Sequence, residues 1–154
     1  SLTGGEPLLQ ASFLLAWLPL VRQRFRIYLE TSGMHAAAMA ELAGLIDIVS
    51  MDIKLPTATG QGPRWDDHRR FLAAASGTGL FVKAVVTKDT SRDDLREAVR
   101  IVADHDRSLT FVIQPASGPF APDGSSLLLL QADALAFLED VRLIPQVHKV
   151  LMVP

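Results

Sequence analysis

The chain has 154 residues, of which 49% are hydrophobic, and its formal net charge is −2 at pH 7. This length predicts a single domain, residues 1–154, with a sizeable core. The small net charge argues against a nucleic-acid surface. The sequence contains no cysteine, so disulfides, thiolate metal sites and a cysteine nucleophile are excluded within it.

The longest apolar run, Leu8–Val21, does not predict a membrane span. Gln10, Ser12 and Pro19 interrupt it, and it falls short of the roughly 20 residues that cross a bilayer. No basic segment with a cleavage site precedes it, so no signal peptide is expected. We therefore expect a cytoplasmic protein.

Helices and strands alternate along the chain. Such alternation, with helices of about 10 to 15 residues, is typical of βαβ units with a parallel sheet, so the predicted fold class is α/β. In chain order, the predicted elements are helix Pro7–Arg24, strand Phe25–Glu30, helix Met34–Ala43, strand Leu45–Ile53, loop Lys54–Pro63, helix Arg64–Ala75, strand Leu80–Thr87, helix Arg92–Asp104, strand Leu109–Gln114, helix Leu127–Asp140 and a last strand or tail Arg142–Val150.

Local signals refine these elements. The first helix is apolar on most faces and is expected to be largely covered, with Pro19 kinking it or splitting off its last turn. Gly44 is placed to end the second helix. Ser91 followed by Asp94 resembles a capping box. Either Ser125 or Ser126 is expected to cap the helix that begins at Leu127.

The stretch Thr3-Gly4-Gly5-Glu6-Pro7 predicts a ligand-binding loop. Glycines lack a Cβ and let a backbone approach a ligand closely, Glu6 adds a carboxylate, and Pro7 suits the first turn of a helix. A small polar or charged ligand could bind at such a helix N-terminus. The alternative is that the stretch is only a turn.

Further candidates lie where the predicted strands end, because parallel α/β folds bind ligands there. Ser50, Asp52 and Lys54 follow one strand and Gln114 ends another. Asp52 and Lys54 could instead form a structural ion pair. His35, His68 and His105 fall on or beside predicted helices, which favours surface roles, and no two histidines have metal-ligand spacing.

Together these stretches resemble the radical S-adenosylmethionine superfamily. The Gly-Gly-Glu-Pro stretch is similar to that superfamily's loop for the methionyl group, and Glu30–Gly33, Asp47–Lys54, Phe81–Val86 and Ile113–Pro115 fall where its later strands end. The ending Arg142–Lys149 is similar to that of the 7-carboxy-7-deazaguanine synthase family. The resemblance implies part of a parallel (β/α) barrel with about four to five strands.

The resemblance also implies a function and site residues. The parent enzyme would be a lyase-type enzyme of queuosine biosynthesis that converts 6-carboxy-tetrahydropterin to 7-carboxy-7-deazaguanine, using S-adenosylmethionine, a 4Fe–4S cluster and Mg²⁺. It carries the cofactor-binding role to Gly4, Gly5, Glu6, Ser50, Asp52, Lys54 and Gln114, and the substrate-binding role to Thr3, Glu30, Gln146, His148 and Pro154.

The sequence departs from the family at the cluster. The family binds its cluster through three cysteines before the Gly-Gly-Glu-Pro stretch, and this chain has none. We therefore expect a C-terminal part of the enzyme, without catalytic or metal-binding residues and inactive alone. Without the strands that precede this loop in the family, strand Phe25–Glu30 would be an edge strand and helix Pro7–Arg24 would expose an apolar patch. Both features predict a homo-oligomer.

Two other functions remain open at this stage. One is another radical S-adenosylmethionine enzyme, such as a glycyl-radical activating enzyme, which has a similar Gly-Gly-Glu-Pro loop. The other is a non-catalytic α/β binding module.

Overall fold

The computed structural model describes residues 1–150, without the side chains of His148 and Val150. Three short 3₁₀ turns lie in the described residues: Pro7–Gln10 before the first helix, Ala43–Leu45 after the second, and Gly118–Phe120. The helices and strands are α1 Ala11–Val21, β1 Tyr28–Thr31, α2 Ala36–Leu42, β2 Ile48–Asp52, α3 Pro56–Thr59, α4 Trp65–Ala74, β3 Gly79–Val86, α5 Arg92–His105, β4 Phe111–Pro115, α6 Gly124–Leu135, β5 Val141–Leu143 and α7 Val147–Val150.

The strands confirm the predicted α/β class. They form a five-stranded sheet in the order β1-β2-β3-β4-β5. The pairs β1–β2, β3–β4 and β4–β5 run parallel, as the intervening helices require. This is the expected arrangement for part of a parallel α/β barrel. Within the described residues, no helix has the length and apolar character that a membrane crossing needs.

The chain divides into two compact units, of which the first comprises Ser1–Asp52 and Arg64–Phe81. It contains β1 and β2, and α2 packs against both α1 and α4. Its interior is apolar and includes the fully buried side chains Leu18, Leu29, Met39, Leu42, Met51 and Phe71.

The second unit comprises Ile53–Pro63 and the chain from Val82 onwards. Helix α6 packs against α5 and β5. Its surface carries an ionic cluster in which Arg92 and Arg96 both contact the carboxylate of Asp133. Buried residues of this unit include Val82, Ala84, Leu95, Ile101, Phe111 and Ile113.

The first helix differs from the prediction in its exposure. Helix α1 continues through Pro19 and ends at Val21, and Leu14 and Leu18 are its buried residues. Phe13 and Trp17 stack on each other with ring centroids 5.8 Å apart, yet both are exposed, as are Leu9 and Leu20. The prediction of a largely covered helix is wrong, whereas the apolar patch predicted on the same helix is exposed at Leu9, Phe13 and Trp17.

Several predicted boundaries are also wrong. Strand β1 begins at Tyr28, three residues late, because the N–H groups of Arg24 and Phe25 still donate to the carbonyl of Val21 and prolong the helical turn. Gly44 lies inside a 3₁₀ turn and is not a left-handed cap.

The residues that cap helices α5 and α6 differ in part from those predicted. Asp123, not either serine, caps α6 by accepting from the N–H of Ser126. Ser91 caps α5 as predicted, but the Asp94 carboxylate accepts from Thr57 and does not close a capping box.

Candidate functional site

The Gly-Gly-Glu-Pro stretch is attached to the carboxyl end of the edge strand β1. The Leu2 N–H donates to the Tyr28 carbonyl at 2.7 Å, and the Glu30 N–H donates to the Leu2 carbonyl at 2.9 Å. Leu2 thus forms a parallel bridge with Leu29. The residues that follow Leu2, Thr3–Glu6, form what we call the glycine loop, and this bridge places them where ligands bind in parallel α/β folds.

The two glycines of this loop have a conformation that other residues rarely adopt. Gly4 has a φ of 87° and Gly5 a φ of 57°, both in the left-handed region. A Cβ built on either glycine would meet no other atom within 4 Å. The backbone conformation, and not a lack of space, therefore requires glycine here, and the loop is open to an approaching molecule.

Glu6 fixes the end of the glycine loop through both carboxylate oxygens. Oε1 accepts from the Thr31 hydroxyl at 2.8 Å and from the Leu8 N–H at 3.2 Å. Oε2 accepts from the Ser32 N–H at 2.9 Å and from the Ser32 hydroxyl at 2.5 Å. The carboxylate therefore joins the start of the first helical turn to the segment that follows β1.

These bonds favour the ionised carboxylate. Burial alone would raise the pKa of Glu6, but the hydrogen bonds from Ser32, Thr31 and Leu8 outweigh it and hold the pKa below its ordinary value. Glu6 is therefore negatively charged at neutral pH.

The two substrate-binding candidates of this unit lie in contact. The Thr3 hydroxyl donates to Glu30 Oε2 at 3.0 Å, and the Tyr28 hydroxyl donates to Glu30 Oε1 at 3.4 Å. Burial raises the pKa of Tyr28; a hydrogen bond with Ser50 lowers it, and the negative charge of Glu30 raises it further. Tyr28 thus stays protonated and links β1 to Ser50.

The candidates on β2 differ in exposure. Ser50 pairs in register with Glu30 and is 2% exposed, whereas Asp52, at the end of β2, is half-buried. Asp47 has a structural role, because its Oδ2 accepts from the Ile27 N–H at 2.6 Å and its Oδ1 lies 3.9 Å from Arg22.

His68 shows that the predicted surface role was wrong for this histidine. It is 0% exposed, and its Nδ1 lies 3.3 Å from the Gly33 carbonyl oxygen. Burial lowers the pKa of His68 more than its interaction with this carbonyl raises it. Its spacing from Phe71 and Leu72 on α4 could have revealed the burial, since residues three and four apart share a helix face.

The second unit holds the remaining candidates. Lys54 follows β2 and is half-buried, as is Gln114 in β4. The Ser117 hydroxyl donates to Gln146 Oε1 at 3.0 Å. His148 lies in α7 but its side chain is outside the described part, and Pro154 lies outside the described residues altogether. Within residues 1–150, no three potential ligands cluster to hold a metal ion.

The chain is therefore an α/β protein with a parallel sheet and a glycine loop at the carboxyl end of strand β1. This arrangement is the one expected for part of a (β/α) barrel. No model of a protein family matches the chain. Three curated relatives of the chain, however, have the same name, 7-carboxy-7-deazaguanine synthase.

The relatives cover nearly all of this chain. The protein from Geobacter sulfurreducens is 39% identical over 152 residues, that from Methanopyrus kandleri 34% over 158, and that from Thermoplasma acidophilum 29% over 149. These alignments include 97%, 98% and 97% of this chain but 61%, 59% and 65% of the relatives. The predicted resemblance is confirmed: the chain is a homologue of 7-carboxy-7-deazaguanine synthases and spans about three fifths of their length.

Proposed function

We propose that the full-length protein containing this chain is a radical S-adenosylmethionine enzyme of the lyase type. It converts 6-carboxy-tetrahydropterin to 7-carboxy-7-deazaguanine, a step of queuosine or related deazapurine synthesis. The observation that carries the proposal is the glycine loop, held open at the end of β1 by Glu6, in a homologue of enzymes with this name.

The glycine loop suits the methionyl end of S-adenosylmethionine. Left-handed glycines leave the backbone accessible, and the negative charge of Glu6 lies beside them. Bound S-adenosylmethionine would supply the radical that abstracts hydrogen from the pterin. In our proposal the residues that hold it are Gly4, Gly5, Glu6, Ser50, Asp52, Lys54 and Gln114.

Glu30 would bind the pterin. Its carboxylate is already oriented by Thr3 and Tyr28, and a carboxylate oxygen can accept more than one hydrogen bond. It could therefore accept from the amino and ring N–H groups of a pterin while Thr3 and Tyr28 hold it in place. Gln146, His148 and Pro154 complete the proposed substrate-binding set.

The residues of this chain do not fit a 4Fe–4S cluster. Such clusters are held by cysteine thiolates, and the 154 residues contain no cysteine. A cluster in the full-length protein would require ligands from outside this chain, so we derive no catalytic step through it. The chain alone is proposed to be inactive.

The proposal also includes the location of the enzyme, its metal ion and its partners. We propose a cytoplasmic enzyme that uses Mg²⁺ as a further cofactor. Its small-molecule substrate is a pterin, and it has no nucleic-acid or membrane partner. A second copy of the chain is the expected protein partner, because α1 exposes apolar side chains such as Phe13 and Leu20.

Calorimetry with S-adenosylmethionine tests the proposed site. In Gly4→Val of the full-length protein, a β-branched residue must adopt a left-handed conformation, which costs about 1–2 kcal/mol or shifts the loop. Gly77→Val is a matched control, since Gly77 has a φ of 89° and an added Cβ there also meets nothing within 4 Å. We expect the two variants to lose similar stability. Only Gly4→Val should reduce the affinity for S-adenosylmethionine, by about tenfold or more, which corresponds to the loss of about one hydrogen bond.

Two outcomes contradict the proposal. Wild-type protein that binds no S-adenosylmethionine would favour the non-catalytic module. Equal affinities of the Gly4 and Gly77 variants would show that the ligand does not depend on the glycine loop.

A further inference from the structure

We infer that His68 is a positioning residue for the glycine loop. It holds the carbonyl of Gly33, and so the segment Thr31–Gly33 on which the Glu6 carboxylate is anchored. As far as it concerns S-adenosylmethionine, this inference rests on the proposed function. The link from His68 to Glu6 stands on the geometry alone.

The first link joins α4 to the segment after β1. The His68 ring is fully buried and its Nδ1 lies 3.3 Å from the Gly33 carbonyl oxygen. A carbonyl can only accept, so Nδ1 carries the hydrogen and His68 is the neutral Nδ1–H tautomer. Burial, which lowers its pKa, keeps this form at neutral pH.

The segment held by His68 has little room to move. Gly33 has a φ of 69°, and a Cβ added there would come within 2.7 Å of the Met51 side chain. The Gly33 N–H donates to the Thr31 hydroxyl oxygen at 3.3 Å. Gly33 is therefore held at its carbonyl, at its N–H and by packing.

The last link reaches the glycine loop. The Thr31 hydroxyl and both donors of Ser32 bind the Glu6 carboxylate at 2.5–2.9 Å. A shift of the Gly33 peptide would move these donors, since they lie one and two residues before it. Because Glu6 directly follows Gly5, such a shift would be passed to the backbone of the loop.

A purely packing role explains His68 poorly. Its Nε2 is buried and has no hydrogen-bond partner among the described residues. Burying a polar nitrogen without a partner is unfavourable, so an aliphatic side chain would fill the space at lower cost. The benefit of histidine at this position is the hydrogen bond from Nδ1.

Three variants of the full-length protein separate positioning from packing. His68→Leu removes the donor but keeps an apolar volume. His68→Asn places an amide nitrogen near the position of Nδ1, whereas His68→Gln places it one bond farther out. Phe71→Leu is the control, because Phe71 is fully buried on the same helix. This substitution reduces packing but leaves the hydrogen bond from His68 to the Gly33 carbonyl in place.

Amide hydrogen exchange at Ser32 is the readout that does not depend on the cofactor. We expect His68→Leu to accelerate exchange of the Ser32 N–H by about tenfold, which corresponds to one lost hydrogen bond of about 1.4 kcal/mol. His68→Asn should restore most of the protection, and His68→Gln should not. Phe71→Leu should lower the melting temperature but leave Ser32 exchange close to that of the wild type.

Affinity for S-adenosylmethionine, measured by calorimetry, should follow the same order. The inference is overturned if His68→Leu and Phe71→Leu give equal Ser32 exchange and equal affinity. If His68→Leu does not fold, equal exchange in the Asn and Gln variants overturns it. If the wild type binds no S-adenosylmethionine, the proposed function fails, and Ser32 exchange alone decides the role of His68.

Discussion

Replacing Glu6 by glutamine tests the anchoring of the glycine loop. The wild-type carboxylate accepts four hydrogen bonds, two on each oxygen, and each oxygen receives one backbone N–H, from Leu8 or from Ser32. The glutamine side chain has a single oxygen, so its NH₂ group must face one of these backbone N–H groups, and two donors cannot form a hydrogen bond with each other. The hydroxyls of Thr31 and Ser32 can rotate to accept, but a backbone N–H cannot.

The magnitude follows from this mismatch. A hydrogen bond to a charged group contributes about 1.5–3 kcal/mol, and since Glu6 is only half-buried we take the lower part of this range. Glu6→Gln should therefore lower the free energy of unfolding by about 2 kcal/mol at pH 7. The exposed Glu41 on α2 offers the control, because Glu41→Gln should change stability by less than about 0.5 kcal/mol.

Urea unfolding at several pH values measures the effect. The pKa of Glu6 is lowered in the folded state, so its stabilisation is present above the unfolded-state pKa of about 4.3 and is lost as pH falls through the folded-state pKa. The difference between wild type and Glu6→Gln should shrink over that range. A Glu6→Gln variant as stable at pH 7 as Glu41→Gln would refute the reasoning.

Three further predictions concern the cluster, Lys54 and association. The 154-residue chain, incubated with iron, sulfide and reductant, should show no 4Fe–4S absorption band and no cleavage of S-adenosylmethionine, because it has no thiolate ligand; a band with turnover above background contradicts this. Lys54→Ala in the full-length protein should weaken S-adenosylmethionine binding in calorimetry more than it lowers the melting temperature, and an unfolded variant whose residual protein binds normally would favour a structural role. The chain alone should self-associate at micromolar concentration in light scattering, since the stacked side chains of Phe13 and Trp17 are 59% and 37% exposed; a monomer, or association unchanged by Phe13→Ser, would contradict this.

The fold class was predictable because the local signals agree. Apolar strand segments alternate with helix-length segments, and a parallel sheet follows from that order. The exposure of α1 was not visible in its composition. It depends on what lies beside β1, and an apolar helix looks the same in a sequence whether its faces are covered or not.

The candidate site was predictable only in part. The two glycines and the proline indicate a loop before a helix. Two of the three residues that donate to Glu6, however, lie 25 and 26 residues further along the chain, beyond the range of local sequence patterns. A carboxylate in an apolar stretch is costly unless it is paired, and the Ile27 N–H that pairs with Asp47 lies 20 residues earlier in the chain. The surface role predicted for His68 was wrong because it rested on the polarity of the side chain. The spacing of three residues from the apolar Phe71 indicates the buried face of the helix.

The conversion itself tests the central claim most directly. The full-length protein, with its cluster reconstituted under anaerobic conditions, is incubated with reductant, S-adenosylmethionine and 6-carboxy-tetrahydropterin, and the products are followed by mass spectrometry. The account predicts 7-carboxy-7-deazaguanine in the complete mixture and a loss of most of this product in Gly4→Val but not in Gly77→Val. A reconstituted wild-type protein that cleaves S-adenosylmethionine yet leaves the pterin unchanged would contradict it.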